Sequence, residues 1–274
     1  MIRFGTDGWR AVIADTFTFE NLRLIAQAVA SSVLKNHLGS ADPQVVVGYD
    51  TRFLSDRFAA ATARVLSPNG ITTSLTRTDA PTPAISFHVK EIGADAGVVI
   101  TASHNPPRYN GFKLKASYGG SATAEECSLV EAELQAMERD ARGPNLMDLN
   151  MAVDRGLIRR FDPAWSYYQH LGTLIDLDTI SNGELTVVAD AMWGAGRGAF
   201  TSILSRTRSR TSEIRGQLNP GFGGIHPEPI QKNLTELAAA VQREKADVGL
   251  DRLRVDAARS EEHTSELQSL TNLV

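Results

Sequence analysis

A hydroxyl, an imidazole, an amide and an ammonium fall within one short stretch of this chain, at Ser103, His104, Asn105 and Lys113. These are the residue types of covalent group transfer: an oxygen that can carry a group, two candidates for moving protons and a positive charge. The serine lies in Thr101-Ala102-Ser103-His104-Asn105-Pro106, directly after Ala96-Gly97-Val98-Val99-Ile100. That short β-branched apolar run reads as a strand buried on both faces. Pro106-Pro107 then stop regular structure. Ser103 is therefore expected on an exposed turn at the carboxyl edge of a sheet, where open α/β sheets bind ligands. A serine hydrolase is the first chemistry to weigh, and two observations count against it. Neighbours in an extended segment point to opposite sides, so His104 would not deprotonate Ser103, and the Gly-x-Ser-x-Gly elbow is absent.

Two arginines are placed to serve an anion. Val45 to Asp50 reads as a second buried strand, with Thr51-Arg52 just past its carboxyl end and on the Ser103 edge if the strands are parallel. A guanidinium offers a planar fork to phosphate oxygens; alternatively Arg52 pairs with Asp50 or Asp56. Arg10 closes the run Phe4-Gly5-Thr6-Asp7-Gly8-Trp9-Arg10, in which the glycines permit a tight backbone path. On its residues alone, Arg10 reads as a solvated surface charge. In Gly111 to Lys115, alternation puts Lys113 and Lys115 on one face and Phe112 and Leu114 on the other. A lysine beside phosphate stays charged, so Lys113 would act as a base only with a lowered pKa. His104 competes for that role, or is simply hydrogen-bonded within its own turn.

The elements that must position these groups alternate between strand and helix. Thr18 caps a helix with Glu20 in its first turn. Leu22, Ile25, Ala26, Val29 and Val33 form its apolar face, and Gly39 is expected to end it. Ser55 to Leu66 reads as a helix and Ile71 to Leu75 as a strand; the loop Asp79 to Pro83 enters a helix carrying Ile85, Val89 and Ile92. Such alternation implies a sheet with helices on both faces. Thr123 to Arg142 is a charged amphipathic helix, after which periodicity fades from Gly143 to Arg160. The boundary is placed there, giving a first domain at 1–150, a second at 151–258 and a tail at 259–274.

In the second domain, Phe161 to Leu171 begins a connecting helix, Leu185 to Asp190 is a strand, and Gly194-Ala195-Gly196-Arg197-Gly198 opens a helix. The third glycine is wrongly spaced for a dinucleotide fingerprint, so a tight packing turn is expected. Asn219 to Pro229 is a turn-rich loop, Leu234, Leu237, Ala238 and Val241 make a helix face, and Asp247 to Leu250 is a strand. The class is α/β: two three-layer α/β/α domains with mainly parallel mixed sheets.

Composition narrows the partners. A net charge of −4 argues against nucleic acid and membrane surfaces, while leaving room for a small anion held by local arginines. Cys127 is the single cysteine, so no intrachain disulfide forms and a reducing compartment fits. The opening Met1 to Gly8 lacks the apolar core of a signal peptide, and no run is long and apolar enough to span a bilayer. A cytoplasmic location is expected.

Thr101 to Pro106, followed by Asn110-Gly111-Phe112-Lys113, resembles the signature of the α-D-phosphohexomutases, the phosphoglucomutase/phosphomannomutase family. Phe4 to Arg10, Asp50-Thr51-Arg52, the Asp190 to Gly196 run and Asn219 to Pro229 are similar to segments of the same family. The resemblance implies a carbohydrate isomerase, an intramolecular phosphotransferase that interconverts the 1- and 6-phosphates of a hexose such as glucose or mannose through a bisphosphate. It implies phosphoserine at Ser103, proton handling by Lys113 or His104, phosphate contacts from Arg10, Arg52 and Asn105, and Mg²⁺ on Ser103 and Asp251. It covers about the first two of the family's four domains, without the sugar-reading Glu-x-Ser-Gly loop.

The pattern breaks near the end. Where the family has Asp-Gly-Asp-x-Asp-Arg, Leu250 runs directly into Asp251-Arg252. One aspartate and a phosphate make a poor magnesium site, so a truncated and inactive chain is expected. Arg259 to Ser269 resembles the in-frame translation of a DNA-sequencing adapter, which implies a non-native tail; the alternative is a polar amphipathic helix with Leu267, Leu270 and Leu273 on one side. The competing functional reading is a non-catalytic phosphate-binding or interaction module derived from the same family.

Overall fold

The computed structural model describes residues 2–5, 8–37, 39 and 42–251. Thr6 and Asp7 of the opening run, Arg252 of the metal motif and the expected tail lie outside the described residues.

The first sheet contains β1 (Trp9–Val12), β2 (Gln44–Tyr49), β3 (Thr72–Thr76), β4 (Ala96–Ile100), β5 (Tyr109–Ala116) and β6 (Ile158–Phe161), in the order β1-β5-β4-β2-β3-β6. β5 pairs antiparallel with both β1 and β4, while β4, β2, β3 and β6 pair in parallel. The apolar sequences of β2 and β4 follow from cover on both faces. Val45, Val47, Val98 and Ile100 enter one core with Leu22, Ile25, Val29 and Phe58, and Val46 and Val99 enter another with Ile85 and Val89. That alternation is the period of two of a pleated strand.

The helices of this unit are α1 (Phe19–Asn36), α2 (Ser55–Leu66), α3 (Thr82–Glu91), α4 (Ala124–Arg139) and α5 (Leu149–Asp154). Thr18 caps α1 as expected, accepting from the Asn21 amide at 3.2 Å. The expected stop at Gly39 is corrected: α1 ends at Asn36, because His37 is extended and its Nδ1 lies 2.6 Å from Asp95 Oδ1. Thr123 and Glu126 form a reciprocal capping box at the start of α4.

A boundary at residue 150 does not match the sheet. Residues Ile158–Phe161 pair in register with Thr73–Thr76, and Ala152 of α5 is buried in the first core. The first unit therefore runs through Phe161. Beyond it come α6 (Ala164–Leu174), α7 (Leu177–Asn182), β7 (Thr186–Asp190), α8 (Ala199–Leu204), β8 (Arg210–Ile214), α9 (Thr235–Glu244) and β9 (Val248–Asp251). The second sheet is parallel in the order β8-β7-β9, with a small core around Val188, Leu237 and Ala240. Among the described residues, no helix is long and apolar enough to cross a membrane.

The Gly111 position of β5 is tight because three chain segments meet there. A Cβ would come within 2.4 Å of the Thr101 carbonyl oxygen and 3.0 Å of the Trp9 carbonyl oxygen. Gly111→Ala should therefore destabilise the fold by about 1–3 kcal/mol through overpacking, read as a lower midpoint of urea unfolding at unchanged slope.

Candidate active site

Three strand ends build the site. β2 and β4 are parallel neighbours, so Asp50-Thr51-Arg52 and Thr101 to Pro106 emerge on one sheet edge. β5 begins on that edge because it runs the other way, which returns Asn110 to Lys113 beneath the Ser103 loop.

Asp50 organises the edge. Its Oδ1 accepts from the Arg52 amide at 3.0 Å and from Ser55 Oγ at 2.9 Å, and its Oδ2 accepts from Thr101 Oγ1 at 2.6 Å. Thr101 Oγ1 in turn accepts from the Ser103 amide at 3.0 Å. Ser103 is half-buried with φ 55, a left-handed conformation. Single residues with a Cβ hold that conformation where their surroundings impose it.

This bend changes the geometry expected of the serine and its neighbour. The segment is a turn rather than extended, and Ser103 Oγ lies 3.3 Å from His104 Nδ1. The premise that the two side chains diverge is thus corrected; the hydrolase elbow remains absent from the sequence.

Arg52 is corrected more sharply. Its guanidinium lies beneath the loop instead of facing the cleft. Nη1 donates to the carbonyls of Pro106 at 2.9 Å and Tyr109 at 3.1 Å, and Nη2 donates to those of Ser103 and Asn105, both at 2.7 Å. Nε lies 3.2 Å from Asp50 Oδ2. Burial pulls the guanidinium pKa down, and the charge and hydrogen bonding of Asp50 oppose that shift. The alternative pairing with Asp50 is the one observed.

The other expected residues gather at the loop. Arg10 Nη1 donates to Asn105 Oδ1 at 3.0 Å, so strand β1 holds the loop from its far side. Lys113 is buried and, with Ser103, His104, Thr101 and Asp50, lines a cleft of about 120 Å³. Phe112 and Leu114 face the core as alternation predicts.

The second unit closes this cleft with Met192, Gly194, Phe222 and Pro227, among others. Thr51 Oγ1 donates to the Trp193 carbonyl at 2.8 Å, and Arg197 pairs with Asp79 across the units. The Gly194 to Gly198 run is a packing turn, as expected: Gly198 has φ 75 and begins α8, and its amide donates to Glu213 at 2.8 Å. Sequence reasoning did not reach Trp193 or Phe222; Phe222 lay within a recognised turn-rich loop, but nothing in its type marked it as a cleft residue.

Asp251 is the last residue of β9 and stands opposite Asp190 in the ladder. Asp190 is fully buried and accepts from Arg215 through both oxygens, Nε to Oδ1 at 2.8 Å. Burial pulls the Arg215 pKa down, but Asp190, with smaller contributions from Glu236 and Asp251, leaves it above its ordinary value. A guanidinium thus already balances Asp190. Asp251 is not among the residues lining the Ser103 cleft, and among the described residues no three of His, Cys, Asp and Glu group so as to hold a metal. The residues described do not fit Mg²⁺ on Ser103 and Asp251.

A serine on a left-handed turn at the carboxyl edge of a mostly parallel sheet, beside His104 and the buried Lys113, is the candidate site on this α/β scaffold. The chain belongs to the phosphoglucomutase/phosphomannomutase family: residues 1–140 match its alpha/beta/alpha domain I and residues 165–251 its alpha/beta/alpha domain II. It is 33% identical to a Thermococcus gammatolerans protein assigned as a phosphoglucosamine mutase, over 99% of this chain and 57% of that protein. It is also 33% identical to the phosphoglucosamine mutase of Corynebacterium jeikeium, over 90% of this chain and 53% of that enzyme. A crystal structure from Thermus thermophilus, assigned as a phosphomannomutase, superposes with a TM-score of 0.82 at 34% identity, covering 93% of this chain and 55% of that one. The chain spans about half the length of the curated relatives it matches.

Asp50 neutralises a guanidinium whose side chain is 0% exposed. Asp50→Asn should cost about 3–5 kcal/mol, because it leaves that charge buried without its counter-ion. Guanidinium chloride unfolding of the variant against the unchanged chain measures the loss.

Proposed function

We propose that this chain carries the phosphoryl-donating part of a hexose-phosphate mutase. The observation that carries the reading is the bent loop that sets Ser103 Oγ 3.3 Å from His104 Nδ1 at the edge of a cleft lined by Lys113. Family membership and the names of the relatives, glucosamine, glucose and mannose phosphate mutases, support a hexose phosphate as substrate.

In the forward step the bond from Ser103 Oγ to phosphorus breaks as a sugar hydroxyl oxygen forms its own bond to phosphorus. The hydroxyl proton leaves to a base, and the seryl oxygen takes up a proton. His104 sits within reach of that seryl oxygen and handles its proton. Lys113 lines the cleft, where its positive charge would act on the phosphoryl group. Arg10, bonded to Asn105, adds a cation beside the Ser103 loop. Transfer of this kind depends on positioning and electrostatics. No step is assigned to a metal, and the chain as written is inferred to load phosphate without completing turnover.

Incubating the purified chain with glucose 1,6-bisphosphate should add one phosphoryl group, mapped to Ser103 by peptide mass spectrometry and absent from Ser103→Ala. The same preparation should convert glucose 1-phosphate to glucose 6-phosphate no faster than a protein-free blank. Labelling at another residue, or none, removes the phosphoserine reading; conversion well above the blank removes the inference of an inactive chain.

A further inference from the structure

We propose that Arg52 is a positioning residue for phosphoryl transfer: it sets the bend that presents Ser103 to the cleft, with Phe222 of the second unit as its backing. This rests on reading Ser103 as the phosphoryl carrier.

An arginine has five N–H donors, all in the plane of its guanidinium. Four of them reach main-chain carbonyls, those of Ser103, Asn105, Pro106 and Tyr109, at 2.7–3.1 Å. The fifth, Nε, is buried 3.2 Å from Asp50 Oδ2 in an ion pair whose geometry falls short of a hydrogen bond. Phosphate oxygens bind a guanidinium through those in-plane N–H groups; here four donate to main-chain carbonyls and the fifth is buried beside Asp50. Arg52 Cζ also lies over the Phe222 ring, 5.1 Å from its centroid.

The acceptors explain the role. Four carbonyl dipoles converge on one point beneath a loop that lacks a helix or strand of its own, and they repel one another unless a cation lies among them. The Ser103 carbonyl is among these acceptors and the Ser103 amide donates to Thr101 Oγ1 at 3.0 Å, so the peptide planes on both sides of this left-handed residue (φ 55) are held. The Pro106 carbonyl also accepts from the Tyr109 amide at 3.0 Å, while Pro106 and Pro107 have no amide hydrogen of their own to donate. Arg52 therefore holds the seryl oxygen in place without touching phosphate. Phe222 is itself 3% exposed and comes from the Asn219 to Pro229 loop, so the second unit reaches Arg52 through this side chain.

The test is the rate at which glucose 1,6-bisphosphate loads Ser103, measured against its concentration, with hydrogen exchange of the peptide spanning residues 101–110. Arg52→Lys keeps the charge, but a single ammonium cannot span four carbonyls. It should lower the maximal loading rate about tenfold or more while the half-saturating concentration stays within about twofold. Phe222→Leu keeps an apolar side chain and removes the ring. It should lower the maximal rate about threefold and speed exchange in the 101–110 peptide. If Arg52→Lys does not fold, Phe222→Leu decides by the same two measurements. A raised half-saturating concentration at unchanged maximal rate would mean that Arg52 contacts phosphate and would overturn the proposal. Unchanged loading and exchange in Phe222→Leu would overturn the coupling to the second unit. If the unaltered chain takes no phosphoryl group at Ser103, the proposed function fails on its own, while faster exchange in Phe222→Leu would still support the hold of Arg52 on the loop.

Discussion

A buried positive charge must be surrounded by acceptors, and the edge of the first sheet is arranged around that requirement. Arg52 has no exposed side-chain surface, and an uncompensated charge there would be prohibitive. Asp50 supplies the opposite charge and at the same time fixes Thr101 and Ser55. Asn110 Nδ2 donates to Ser55 Oγ at 2.9 Å, which ties the start of β5 to the same network. Most of these polar groups are thus paired with others anchored to a strand or helix end. Such a network is stable only when all its members are paired, so the serine loop inherits the rigidity of the sheet without belonging to it.

The topology makes this possible. With β2 and β4 parallel and adjacent, Asp50 follows one strand and Thr101 the other, and the Asp50 amide donates to the Ile100 carbonyl at 3.1 Å. A parallel β5 would have needed a crossover connection and would have placed Asn110 elsewhere. Because β5 is antiparallel, the link from Ile100 to Tyr109 is short and folds over Arg52. The single reversed strand in an otherwise parallel set is what gives the guanidinium four carbonyls to bind.

Much of this was legible from residue types. Ala96 to Ile100 announces a two-face buried strand because every residue in it is small or apolar, and its observed bounds are the same. Ser55 to Leu66 and the Thr18 cap are equally plain. The strand Ile158–Phe161 was not legible: Arg159 and Arg160 are exposed on a sheet edge, where burial writes no pattern into the sequence. Likewise β8, Arg-Thr-Ser-Glu-Ile, carries little apolar signal. At the site, the orientation of Arg52 and the bend at Ser103 both differ from what the sequence suggests. The guanidinium of Arg52 announced an anion partner, but its acceptors are main-chain carbonyls, which have no side-chain signature to read. The left-handed Ser103 was hidden for a similar reason, since serine is not a residue whose type demands positive φ.

The second unit repeats the device on the opposite wall of the cleft. Asp190 ends the central strand β7 and pairs with Arg215, much as Asp50 follows β2 and pairs with Arg52. Met192 and Trp193, which follow Asp190, have φ values of 43 and 56, and the Met192 amide donates to Asp190 Oδ1 at 3.0 Å. Left-handed residues persist when their surroundings over-determine them, and here a carboxylate and the Arg215 carbonyl, which accepts from the Trp193 amide at 2.8 Å, do so. Trp193 also packs its ring against the Arg215 guanidinium, 5.3 Å from Cζ, and its carbonyl receives Thr51. Both walls are therefore bent loops held by an aspartate–arginine pair, and they meet through Thr51 with Trp193 and Arg52 with Phe222. Since those contacts involve consecutive residues, 51 and 52, a shift of the second unit acts directly on the segment beneath Ser103. The cleft and the serine loop are then one mechanical object, with its rigidity set by two buried guanidinium groups.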